Sequence, residues 1–218
     1  MGKFNAFKDL KSNAEKVTSL RQLRALHELR TDQKISDSEW ATVGRGVCTS
    51  LCMAWLQKMF ANERFGSRPI DDMFHQFSVM DLVKEHIPNY IRYIDTASKT
   101  NPLQAIKDLA QQYKLTFTCK AVETVFESIL NSTKNVLNQS GAIGTFAVVK
   151  IKGRENGHHS FAFYRLGDDF SFFDPNLGAY VMVQSAWSQF FTTYVDLVKK
   201  NFECTIEPGT WGLIKEQQ

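Results

Sequence analysis

No run of about 18 consecutive apolar residues occurs in this sequence, so it offers no candidate for a membrane-spanning helix and no integral membrane segment is expected. Basic blocks are lacking too. The 26 Lys and Arg stand against 23 Asp and Glu, a net charge of +3, and with no stripe of cations to follow a phosphate backbone, nucleic acid is not expected as a partner. Four cysteines in 218 residues, with Cys119 and Cys204 isolated, are too few for a disulfide framework, and reduced thiols are expected. The opening stretch MGKFNAFKDLKSNAEK has no apolar core of the kind a Sec signal peptide carries, and Ala6 stands where a myristoylation motif needs Ser or Thr. Internal repeats and low-complexity segments are also missing.

What the chain does have is core-forming material: 43% of its residues are hydrophobic and 12% aromatic. Its first 34 residues hold eight basic and four acidic side chains, a positive excess that suits either an acidic surface or a solvated helical face. Residues 3–31, with Leu20, Leu23, Leu26 and Leu29 at threefold spacing, predict one or two amphipathic helices, partly disordered at the start. We divide the chain into an extension over residues 1–38 and a folded domain over 39–218. SDSEW offers cap residues before a short turn, and Gly44 and Gly46 break the pattern ahead of a helix from Val47 to about Asn62. Val47, Leu51, Trp55 and Met59 repeat every four residues with Cys48, Cys52 and Leu56 beside them, as expected of a central, mostly buried helix.

Further helices are predicted from about Pro69 through Ile87, from Pro102 with Asn101 as its cap, and over ETVFESILN. LTFTC and AIGTFAVVKIKG predict strands. HHSFAFYRLGDDFSFFDPNLGAYVMV predicts three strands broken at 166–169 and 175–178, followed by the helix SAWSQFFTTYVDLVKK and a last strand around Cys204–Ile206. Helices first and an antiparallel sheet after make the class α+β.

A turn centred on Leu166-Gly167 would oppose Phe163 to Phe170, Phe161 to Phe172 and His159 to Asp174, all on one face. The phenylalanines would bury that face, and Pro175, which cannot donate to a ladder, would leave the His/Asp pair at an open sheet end. Cys48 stands in the first turn of its helix, where free backbone N–H groups and the helix dipole favour thiolate. Cys52 lies one turn further in and reads as packing. Gly44 and Gly46 let the chain approach closely and free the Cys48 N–H to donate to an oxyanion. His159, steered by Asp174, would take the thiol proton and return it to the leaving group.

GVCTSLCMAWL, HHSFAFY and FFDPNLGAY together resemble the three blocks of the YopT-type papain-like cysteine proteases, a family of bacterial effectors, over roughly residues 40–200. Gly46-Val47-Cys48, His159-Ser160-Phe161 and Phe173-Asp174-Pro175-Asn176-Leu177-Gly178 match its cysteine, histidine and aspartate segments in order. The resemblance implies a papain-like fold with a central catalytic helix packed on an antiparallel sheet. It also implies proteolysis of a host protein such as a small GTPase or a kinase, and delivery into the host cytoplasm by a non-Sec route. The triad would be Cys48, His159 and Asp174, in a monomer that uses neither metal nor organic cofactor. Where papain-like enzymes commonly place a side-chain amide about six residues before the cysteine, this chain has Thr42 and then Val43. The second oxyanion donor is left open among Thr42, Arg45 and a backbone N–H.

Other assignments fit parts of the same residue set. A lone cysteine is most often a core residue, and Cys48 and Cys52 with His158 and His159 would also suit zinc, although structural zinc sites favour tight knuckles over helix interiors. His158 competes with His159 as base but falls on the opposite face. His27, His75 and His86 read as surface or helix-face residues, and Trp55 and Trp187 as core. The same triad would serve a deamidase or acyltransferase, since the chemistry is shared up to the thioester, and a non-catalytic binding module is the remaining class.

Overall fold

The computed structural model describes residues 14–18, 20–44, 46–65, 79–122, 140–150, 157–202, 204–207 and 210–217. In chain order these form β1 (Glu15–Thr18), α1 (Gln22–Thr31), α2 (Asp37–Val43), α3 (Cys48–Phe65), α4 (Val79–Lys99), α5 (Pro102–Gln112), β2 (Leu115–Val122), β3 (Ser140–Lys150) and β4 (Gly157–Leu166). There follow β5 (Asp169–Asp174), β6 (Gly178–Val183), α6 (Trp187–Phe202), β7 (Cys204–Glu207) and β8 (Thr210–Glu216). The class is α+β, with an eight-stranded sheet ordered β1-β6-β5-β4-β3-β8-β2 and β7 paired to β3.

Alternation along the strands sends side chains to two cores. Ala162 and Tyr164 of β4, Phe173 of β5 and Ile143 of β3 face the helical layer, where Leu26 and Leu29 of α1, Leu51, Trp55 and Met59 of α3 and Leu109 of α5 are buried. Phe161 and Phe163, Phe170 and Phe172, and Tyr180 face α6, whose Trp187, Phe190, Phe191 and Tyr194 cover them. The two tryptophans expected as core are indeed buried: Trp55 stacks on Phe173 at 5.4 Å and Trp187 on Phe170 at 5.5 Å.

Local sequence explains most helix starts. Asn101 accepts the Gln104 N–H at 2.8 Å ahead of Pro102, as its cap position predicts. Ser36 and Glu39 form a reciprocal capping box, so SDSEW opens the short helix α2 and not merely a turn. α4 runs on past Ile87 to Lys99, and the start expected near Pro69 lies outside the described residues, as does the helix expected over ETVFESILN.

Two expectations need correction, and one strand was not expected. Residues 15–18, read as helical, are a strand: β1 adds to the sheet edge through Glu15↔Val181 and Lys16↔Tyr180, and β-branched Val17 and Thr18 suit that role. Leu20, Leu26, Leu29 and Ile35 are buried in the helical-side core. β8 was not foreseen, because GTWGLIKE lacks clean alternation and its Gly212 leaves room for the Phe117 ring, which a Cβ there would meet at 2.4 Å. The hairpin register is displaced: Leu166 pairs with Asp169 and Phe163 with Phe172, because the turn is Gly167-Asp168 with Gly167 at φ 60°. Moving the turn centre by one residue moves each partner by two, so every side chain keeps its predicted face while His159 and Asp174 become diagonal neighbours instead of opposed ones.

Candidate active site

α3 begins at Cys48 because the residues before it cannot continue α2. Gly46 sits at φ 119°, a conformation that favours glycine, and its N–H closes the end of α2 on the Val43 carbonyl at 2.8 Å. The Cys48 N–H, at the head of α3, has no acceptor among the described residues, and the Cys48 side chain is only 3% exposed.

His159 comes from the start of β4 and Asp174 from the end of β5, both on the α6 side of the sheet. His159 Nε2 and Asp174 Oδ2 are 2.7 Å apart, and the Cys48 thiol hydrogen-bonds the same imidazole, which leaves Nδ1 for the sulfur. The Asp174 carboxylate is held from several sides. The buried Tyr194 hydroxyl of α6 donates to Oδ2 at 2.7 Å, and the Asn176 N–H donates to Oδ1 at 2.7 Å across the turn that Pro175 begins. Ser160 adds its backbone N–H and its hydroxyl to the sulfur of Cys48, and that hydroxyl lies 2.8 Å from Thr49 Oγ1.

These contacts set the charges. Burial pushes the Cys48 thiol up, but the His159 hydrogen bond and charge, with the Ser160 donors, outweigh it and leave its pKa below the ordinary value. Burial lowers His159, yet the Asp174 charge and hydrogen bond overcome this and raise its pKa to about 10. Burial likewise works against the Asp174 anion, and the His159 cation, its hydrogen bond and those of Tyr194 and Asn176 hold the carboxyl below its ordinary value. All three shifts run toward the charged forms, thiolate, imidazolium and carboxylate in series.

The sequence candidates therefore fall into two groups. Cys48, His159 and Asp174 are brought together. Cys52 is not part of the group: it is fully buried in the helical-side core, and burial first, then the charges of Cys48 and Asp174, raises its pKa well above the ordinary value. His158 is exposed on the opposite face of β4, so the ligands of the zinc alternative are split between core and surface. Thr42 turns its hydroxyl to the Ser38 carbonyl at 3.4 Å, within its own helix, and Arg45 lies outside the described residues. His86, read as a helix-face residue, is buried and bonded through Nδ1 to the Tyr113 hydroxyl at 2.8 Å; His27 packs on Trp40, and His75 lies outside the described residues.

Sequence reasoning missed Tyr194, Ser160 and Gln22. A phenol set in the otherwise apolar stripe of α6 was a usable signal, since a buried Tyr hydroxyl needs a polar partner. Gln22 gave none: it is 1% exposed, at the first position of α1, with its N–H donating to the Pro175 carbonyl at 3.0 Å and its Oε1 accepting the Val47 N–H at 2.8 Å.

A peptidase family model described as Yersinia/Haemophilus virulence surface antigen matches residues 92–205, a segment that contains His159 and Asp174 and begins after Cys48. Among solved structures, the chain is similar to the Pseudomonas avirulence protein AvrPphB, with 17% identity over 78% of this chain and 91% of that one and a TM-score of 0.54, a likeness that bears on the papain-like fold alone. Weaker overlays are found with PatoxP, a cysteine protease-like domain of the Photorhabdus asymbiotica toxin PaTox (14% identity, 98% of this chain, 60% of that chain, TM-score 0.44). Another is with the YopT domain of the Pasteurella multocida PfhB2 toxin (14% identity, 89% of this chain, 91% of that chain, TM-score 0.29). No curated protein matches the sequence significantly.

Proposed function

This chain belongs to the peptidase family described as Yersinia/Haemophilus virulence surface antigen, and on that premise we propose that it is a cysteine endopeptidase, a bacterial effector that cleaves a host protein inside the recipient cell. Cys48 is the nucleophile, His159 the general acid and base, and Asp174 the group that orients and charges the imidazole. The observation that carries this reading is the continuous hydrogen-bonded series from the Cys48 sulfur through the His159 ring to the Asp174 carboxylate.

In this mechanism the thiolate lone pair forms a bond to the scissile carbonyl carbon and the C=O pair moves onto oxygen. When that pair returns, the C–N bond breaks and the amine leaves with the proton from His159, giving a thioester. Water, losing a proton to the now neutral His159, attacks the thioester, and collapse regenerates the Cys48 thiolate and the imidazolium. No metal or organic cofactor enters these steps. Asp174 stays ionised throughout, and its contacts to Tyr194 and Asn176 keep it from turning away from the ring. Small GTPases and kinases are the substrate classes that the resemblance to YopT-type proteases suggests, with delivery by a non-Sec route into host cytoplasm.

The test is a search for new protein N-termini in a eukaryotic cell lysate incubated with the purified chain or with Cys48→Ala. New termini made by the wild type and absent with Cys48→Ala are expected. A lysate without new termini but with Cys48-dependent mass gains of about one dalton on glutamine residues would overturn the peptidase in favour of a deamidase, because –NH₂ is then exchanged for –OH at the same thioester stage.

A further inference from the structure

Attack on a carbonyl leaves a full negative charge on its oxygen, and catalysis depends on donors fixed in advance around that position. The Cys48 N–H, at the head of α3 and without an acceptor among the described residues, supplies one. Thr42, at the position where a second was looked for, spends its hydroxyl on Ser38.

A side-chain amide does reach the same peptide segment, from α1. The Val47 N–H donates at 2.8 Å to the amide of Gln22, and because only the amide oxygen can accept, this contact fixes which end is Oε1 and turns Nε2 the other way. The amide lies against Gly46: a Cβ added there would stand 3.2 Å from Nε2 and 3.3 Å from Oε1, so the positive-φ glycine is what lets the amide lie along the chain leading into Cys48. Gln22 is 1% exposed, and its Nε2 has no acceptor among the described residues. An NH₂ that no described group accepts from is available to an acceptor that arrives during function. The other end of Gln22 is pinned as well, its backbone N–H donating at 3.0 Å to the carbonyl of Pro175, the residue after Asp174. One residue thus bridges the segments that carry the nucleophile and the Asp174 carboxylate.

We propose that Gln22 Nε2 is the second oxyanion donor of the Cys48 site, acting beside the Cys48 N–H on the carbonyl oxygen of an acyl substrate. This rests on the thiol hydrolase reading and names a further residue of that site, supplied from a helix 26 positions upstream of the nucleophile by numbering (48 − 22). As the thiolate pair forms the C–S bond, the C=O pair becomes the oxyanion that both N–H groups bind. When it returns, the leaving group departs and both contacts relax.

The experiment compares two reactions of the same thiolate in the full chain. Iodoacetamide alkylates sulfur by displacing iodide and forms no oxyanion, whereas p-nitrophenyl acetate acylates it through a tetrahedral oxyanion and releases p-nitrophenolate. Both are followed to their pH plateaus in Gln22→Ala and in Gln22→Glu, which keeps the side-chain length and an acceptor for the Val47 N–H but has no NH₂. We expect plateau alkylation to stay within about threefold of wild type in both variants while acylation falls about 100-fold, the usual loss for one oxyanion donor. Acylation by Gln22→Glu at the wild-type rate, acylation and alkylation falling by the same factor in it, or its failure to fold although the Val47 contact is kept, would each overturn the proposal and leave the triad reading standing. A wild-type Cys48 inert to both reagents would overturn both.

Discussion

Replacing Tyr194 by Phe removes one oxygen from the site and leaves the packing as it was. The Tyr194 ring is fully buried and meets Phe172 edge-on at 4.8 Å, Phe191 at 5.8 Å and Phe161 at 5.9 Å, and Phe can keep all of these contacts. What goes is the 2.7 Å hydrogen bond to Asp174 Oδ2. A hydrogen bond to a buried charge is worth about 1.5–3 kcal/mol. For a chain of this size each kcal/mol moves the melting temperature by about 2–4 °C, so a fall of about 3–12 °C is expected. The loss must also depend on pH. Asp174 has a depressed folded pKa, so its stabilising contribution is present above its ordinary 3.8 and disappears as pH falls through the folded value. Urea denaturation of wild type and Tyr194→Phe should therefore show a lower midpoint with an unchanged slope near neutrality, and the two proteins should converge as the solution is acidified below 3.8. His159 and Asn176 still hold the carboxylate, so Cys48 alkylation should stay within about tenfold of wild type. Equal midpoints near neutrality, or a difference that does not shrink in acid, would refute the claim that this hydroxyl supports a carboxylate anion.

Other perturbations separate the remaining parts. His159→Ala leaves the buried thiol without the cation and hydrogen bond that do most to offset burial, so the pH at which Cys48 becomes alkylated should rise. The raised His159 value makes its stabilising contribution full below 6.5 and lost as pH rises through about 10, which urea midpoints measured across that range should follow. Gly46→Ala forces a side chain into positive φ against the Gln22 amide and should cost about 1–3 kcal/mol in urea while slowing alkylation. Phe173→Ala takes away the ring stacked on Trp55 and should cost about 3–5 kcal/mol in the same assay.

The alternating pattern of β4 and β5 was enough to put His159, Asp174 and the phenylalanines on one face, because a period of two is a local property of the chain. Their register was not readable, since it turns on whether Leu166 or Gly167 opens the hairpin, and the φ of 60° that settles it is a feature of the folded turn. Cys48 at a helix start was visible through the glycines before it. β1 was hidden for a different reason: EKVT is too short to show a period, and its strand character comes from β6 beside it. Gln22 was beyond reach because its meaning depends on where α1 packs, not on its neighbours in sequence. The Asn101 cap, by contrast, lies within a few residues of the N–H it accepts and was read directly, whereas SDSEW showed its cap residues but not the short helix they open.

The central claim is that His159 and Asp174 shift Cys48 toward the thiolate, and the pH profile of its alkylation tests this most directly. Iodoacetamide labelling of the wild-type protein, mapped by peptide, should reach Cys48 before Cys52 and should titrate with a midpoint below 9.0. Labelling of Cys48 that begins only at or above 9.0, or that trails Cys52, would contradict the account.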